Sequence, residues 1–153
     1  MKEEPRIQPV LQHIVEQVNF FELPEDWTNF DLYRFSSSIS LWDFQQAALK
    51  NAIKSLYLYF TEDKANKEKF FDRYHAFLPN PDILSDLDLT SDKLDLDLKE
   101  HTKTCYLYNR TKMKFFNFIN REAFWMATGS GKSLVIIKLI ELLNYYIEKK
   151  LIP

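Results

Sequence analysis

Glycine is nearly missing from this chain: there are two in 153 residues, and both fall in the stretch Met126-Ala127-Thr128-Gly129-Ser130-Gly131-Lys132-Ser133. Six prolines are also few, and the shortage of both turn formers argues against a loop-rich β protein and for a helix-rich chain. One cysteine, Cys105, excludes an internal disulfide and any metal site needing two or more thiolates. The histidines, His13, His75 and His101, stand far apart with no ligand spacing. A formal net charge of −2 supplies no global basic field, so electrostatics by itself makes no case for a nucleic-acid partner. No apolar run reaches membrane length; the nearest, Leu134 to Ile147, is interrupted by Lys138, Glu141 and Asn144. The opening M-K-E-E-P-R lacks the form of a secretory signal, and the expectation is a soluble cytoplasmic protein with no membrane partner. What the chain does have is 46% hydrophobic and 16% aromatic residues, enough for a packed core.

The glycine-bearing stretch reads as a phosphate-binding loop. A tight turn frees backbone N–H groups to point at phosphate oxygens, and a following helix N-terminus adds partial positive charge. Lys132 would then reach the β- and γ-phosphates, and the Ser133 hydroxyl would ligate Mg²⁺. Such a loop follows a strand and opens a helix. Arg121 to Met126 (R-E-A-F-W-M) ends in an apolar run suited to a buried strand, and Ser133 to about Lys150 carries no helix breaker. Met126 occupies the position where the strict pattern has glycine.

The form M-A-T-G-S-G-K-S resembles motif I of superfamily 2 helicases and translocases, in particular the motor subunits of type I and type III restriction enzymes. A second stretch, L-W-D-F-Q-Q-A-A-L, is similar to the aromatic-glutamine element upstream of motif I in that family, with Leu41, Phe44, Gln45 and Ala48 on its pattern. The resemblance implies that Gln45 reads adenine through a carboxamide offering acceptor and donor side by side. It implies further that Thr128, Gly129, Ser130, Gly131, Lys132 and Ser133 bind ATP, with Lys132 catalytic and Ser133 on the metal. The corresponding expectation is an α/β fold: the start of an incomplete P-loop, RecA-like motor domain behind a helix-rich N-terminal region. The function implied is the ATP-binding part of a DNA helicase or translocase of a restriction-modification system. DNA stands ahead of RNA as its nucleic-acid partner, and a modification or specificity subunit accompanies it. The acidic strand and second motor lobe of that family do not follow Ser133, so a fragment of a longer protein is expected, unable to turn over ATP alone.

Taken in order, residues 1–40 read as a helical and irregular extension. Pro9 to Phe21 spaces Ile14, Val18 and Phe21 as a helix does, and Trp27, Phe30, Tyr33 and Phe35 pin the irregular chain after it. Residues 41–153 read as the start of the ATP-binding domain, with an insertion at about 61–120 that accounts for the wide separation of Gln45 from Lys132. Ser40 is placed to cap a helix running to about Phe60. Within the insertion, Asp63 to Phe77 has helical character, Asp82 to Glu100 is an acidic loop, and Thr102 to Asn120 interleaves bases with aromatics that suit a core. Leu134 to Ile147 is so apolar that burial over most of its circumference is expected, as under a parallel sheet. Two other readings compete: a non-enzymatic interaction module with a degraded nucleotide loop, whose apolar 134–147 face binds a partner, and a different P-loop enzyme such as a kinase or GTPase.

Overall fold

The computed structural model describes residues 10–77, 87–88, 112–113, 116, 119, 126 and 129–153. Its elements follow from local pattern. α1 (Val10–Glu16) buries Ile14 and Val15, and Asn19 then caps a short 3₁₀ turn at Phe20–Glu22 by accepting from the Phe21 N–H. α2 (Glu25–Thr28) is a single turn that carries Trp27 inward. The loop after it is folded by Asp31, whose carboxylate accepts from the N–H groups of Tyr33 and Arg34 at 2.9 and 3.0 Å. An isolated antiparallel bridge, Arg34 with Ser40, closes that loop and delivers the chain to α3.

α3 (Asp43–Tyr57) is rich in Ala, Gln, Lys and Leu, and buries Gln45, Leu49, Ala52 and Ile53 at helical spacing. It runs on into a π-helical turn, Leu58–Glu62, and ends where Lys64 and Ala65 take left-handed backbone angles, φ 53 and 55. α5 (Lys132–Glu148) buries Val135, Lys138, Leu142 and Tyr146 along one stripe. Its C-terminus turns back through Lys150 at φ 58, where the N–H of Leu151 bonds to the carbonyl of Tyr146 and that of Lys150 to Ile147. This is a Schellman cap with lysine at the position that favours glycine.

The chain divides into two units. The first, Met1–Asn66 with Ala123–Pro153, has a core of Leu23, Trp27, Leu32, Leu41, Leu49, Ile53, Val135, Leu142, Tyr146 and Ile152. Tyr146 lies at its centre, its ring 4.7 Å from Trp27 and its hydroxyl donating to the Trp27 carbonyl. Lys138 enters the same core by its stem: the amine pairs with Glu141 at 3.1 Å and sits 4.8 Å over the Phe30 ring. The second unit, Lys67–Glu122, contains α4 (Lys67–Phe77), which buries Phe70 and Tyr74, and a short ladder. That ladder pairs β1 (Leu87–Asp88) with β2 (Lys112–Met113), antiparallel, Leu87 opposite Met113.

The α/β expectation is therefore corrected. Among the described residues the paired backbone comprises one antiparallel two-residue ladder and the Arg34–Ser40 bridge, and the unit carrying the glycine stretch is built from helices. A RecA-like start needs a parallel sheet under its first helix. The misleading signal was the apolar length of α5, since a helix that greasy reads as one covered on most sides. It is covered on one: Ile136, Ile137, Ile140 and Ile147 are exposed, at 57, 46, 53 and 47%. Met126, placed at the end of a strand by the sequence reading, is not in one. Residues 121–125, most of the acidic stretch 82–100 and most of 102–120 lie outside the described residues.

Candidate functional site

The helix that organises the site begins at Lys132 because the chain reaches it through a left-handed residue. Gly131 is the N-cap at φ 74, and its carbonyl accepts from Leu134 and Val135 at 3.0 and 3.3 Å, starting the ladder of α5. Gly129, two residues earlier, is also left-handed at φ 79. Two such turns in three residues fold the backbone into a bend at the positive end of a 17-residue helix. The Lys132 amine reaches back along this bend and donates to the Met126 carbonyl at 3.4 Å. Both Lys132 and Ser133 are exposed, so the ammonium and the hydroxyl open to solvent at the first turn.

Gln45 meets this loop from α3. Its Oε1 accepts from the Trp42 N–H at 2.9 Å, satisfying a helix-start amide, and its Nε2 donates to the Ser130 carbonyl at 2.8 Å. The partners fix the carboxamide's orientation, since a backbone N–H stands on one side and a carbonyl on the other. Gln45 is 4% exposed, and the two bonds it makes are partly shielded from solvent. It lies hard against Gly131: a Cβ there would stand 2.5 Å from Nε2. Trp42 and Phe44 flank it on the outside, exposed at 66 and 44%, with their rings edge-on at 5.7 Å.

Of the residues singled out by sequence, Gln45, Gly129, Ser130, Gly131, Lys132 and Ser133 are thus collected in one place; Thr128 lies outside the described residues. Two participants were not foreseen. The Met126 carbonyl holds the lysine, and the Trp42 N–H holds the glutamine; only the closeness of Trp42 to Gln45 in L-W-D-F-Q hinted at the second. Chemically, the arrangement suits a polyanion, with a bent backbone, a helix N-terminus and an ammonium converging. Among the described residues there is no group of three or more His, Cys, Asp or Glu side chains placed to hold a metal ion. No helix among them is long and apolar enough to cross a membrane. No family model, no curated protein and no solved structure matches the chain.

Proposed function

We propose that Gly129 to Ser133 bind the phosphates of a nucleoside triphosphate, ATP with Mg²⁺. The observation that carries this reading is the pair of left-handed glycines leading into the N-terminus of α5, with the Lys132 amine folded over the bend. In it, backbone N–H groups of Gly129, Ser130 and Gly131 face the phosphate oxygens, with Thr128 leading into them. Lys132 neutralises the β- and γ-phosphates, and Ser133 gives Mg²⁺ one oxygen. A lone hydroxyl is not a cation site, so the metal would arrive with the triphosphate, taking its other ligands from phosphate and water. When bound, Mg²⁺ supplies neutralisation of charge on the phosphoryl groups.

The wider reading is the ATP-binding part of a DNA helicase or translocase, working with a modification or specificity subunit and hydrolysing ATP to move on DNA. It rests on the likeness of Met126 to Ser133 and Leu41 to Ala48 to that family, and on nothing in the helical architecture. A second reading, an interaction module, draws support from the exposed isoleucines of α5.

Titration calorimetry of Mg·ATP into wild type and Lys132→Ala tests the first reading. Binding by wild type that weakens at least about tenfold in the variant, the scale of one charge-assisted contact, supports it. Preference for GTP points to another P-loop enzyme, and binding of neither nucleotide to the interaction module.

A further inference from the structure

We propose that Gln45 is a positioning residue of the loop: its carboxamide ties the start of α3 to the Ser130 carbonyl and thereby sets how tightly the loop grips a triphosphate, independently of the base. The inference rests on the phosphate-loop reading for its effect on affinity, and on geometry alone for the tie itself. Both polar ends of Gln45 are engaged by backbone, at 2.9 Å to Trp42 and 2.8 Å to Ser130, and the side chain is 4% exposed. A base reader has to present that same acceptor–donor edge to its ligand, so reading adenine means giving up the bonds to Trp42 and Ser130, both of them partly shielded from water.

The tie acts on the loop through the planarity of one peptide. The Ser130 C=O and the Gly131 N–H belong to the same trans unit and point in opposite directions. Holding the carbonyl toward Gln45 therefore aims the Gly131 N–H away from it. Gly131 accommodates this because it is left-handed and bears no Cβ, which would otherwise stand 2.5 Å from Nε2. One of the amides offered to a phosphate thus has its direction set by a side chain 85 residues before the carbonyl it holds.

The scarcity of glycine supplies the test. Protein labelled with ¹⁵N-glycine gives two amide resonances, Gly129 and Gly131, since the sequence contains no other glycine. Gln45→Met keeps the buried volume and removes both bonds; Gln45→Glu keeps the acceptor for Trp42 and, when ionised, loses the donor to Ser130. Far-UV circular dichroism and a thermal melt establish that each variant folds. Without ligand, the Gly131 resonance is expected to move or broaden in both variants, and in Gln45→Glu to return toward its wild-type position as acid protonates the carboxyl and restores a donor.

Calorimetry then compares Mg·ATP with base-free tripolyphosphate. Gln45→Met should weaken both by the same factor, about tenfold, the size of one or two hydrogen bonds to a preformed site. An unmoved Gly131 resonance in both folded variants overturns the proposal. So does a loss confined to ATP with tripolyphosphate unaffected, which makes Gln45 a base reader. If ATP and tripolyphosphate disturb neither glycine in wild type, the phosphate-loop reading fails and takes the affinity half of this proposal with it, while the tie is judged on the ligand-free resonance.

Discussion

The backbone angles of individual residues change what the two glycines mean. Lys64, Ala65 and Lys150 are all left-handed, so this chain tolerates side chains at φ near 55 and does not place glycine wherever the backbone bends that way. The demand at Gly131 is a second one, contact with Gln45. Gly129→Ala, with open space around its Cβ, should cost about 1–2 kcal/mol from the left-handed backbone alone. Gly131→Ala must also displace a buried, bonded side chain, and about 3 kcal/mol is expected from strain and crowding together. Urea denaturation of the two variants measures the difference, and equal losses would contradict the packing argument.

Tyr146 is the other residue whose environment makes a measurable claim. Burial first, and the neighbouring Tyr145 second, push its hydroxyl far above the ordinary tyrosine range. Its folded value is raised, so the native state keeps the proton where the unfolded chain gives it up. The stability this contributes is complete below about pH 10 and falls as pH climbs beyond it. Tyr146→Phe should lose about 1–2 kcal/mol at neutral pH, from the unpaired Trp27 carbonyl. The gap between wild type and variant should narrow above pH 10, which melts across an alkaline series would follow. Asp31 acts in the opposite direction at acid pH. The N–H of Arg34 foremost, against some desolvation, holds its carboxyl below the usual range, so its contribution is present above about pH 4 and fades as pH falls further.

Among the elements, α3 was the most legible. A capping serine ahead of it announced a helix to about Phe60, and the helix with its π-turn spans Asp43 to Glu62. The start was misplaced, at Ser40, because a serine before an apolar run is the usual cap. Gln45 does that work from the third helical position, by accepting from the Trp42 N–H. The partner of its other end, Ser130, could not be read from sequence, since long-range contact leaves no local pattern. α4 begins at Lys67 because the chain before it is turned through Lys64 and Ala65, left-handed residues with no turn signature in their side chains.

α5 shows the same limit at larger scale. Its helicity was legible, but which side would be buried was not: Lys138 is one of the polar residues that interrupt the apolar run, yet it is buried at 6% while four isoleucines are exposed. Pairing with Glu141 and the Phe30 ring make that burial tolerable. Replacing Ile136 and Ile140 by Gln should change stability by no more than about 0.5 kcal/mol each, whereas Leu142→Ala should cost about 2–5 kcal/mol. The Schellman cap makes a third claim. Lys150→Gly should stabilise the protein by about 1 kcal/mol, seen as a raised melting midpoint, because glycine carries no penalty at the angle lysine now holds.

For the molecule as a whole, the bend at the two glycines and the helix start after it were legible from a handful of residues, whereas the architecture around them was not. A phosphate-loop pattern is a local object, defined by a turn, a helix start and two side chains, and it says little about the layer beneath. The helical unit supports the loop differently from a sheet: α3 lies beneath it and Gln45 reaches up to it, so a change in α3 should be felt at Gly131.

The hydroxyl of Tyr146 closes on a carbonyl 119 positions earlier, and of the nine other residues in its core three, Val135, Leu142 and Ile152, come from the same C-terminal stretch. During synthesis, the apolar side chains of residues 23–53 therefore emerge long before their partners exist. At roughly 5–20 residues per second, the ribosome needs several seconds to deliver the missing helix. Throughout that interval Trp27, Leu49 and Ile53 have nowhere to hide. A nascent chain halted before Lys132 should bind holdase chaperones and yield readily to protease, whereas one carried through Ile152 and clear of the exit tunnel should resist both.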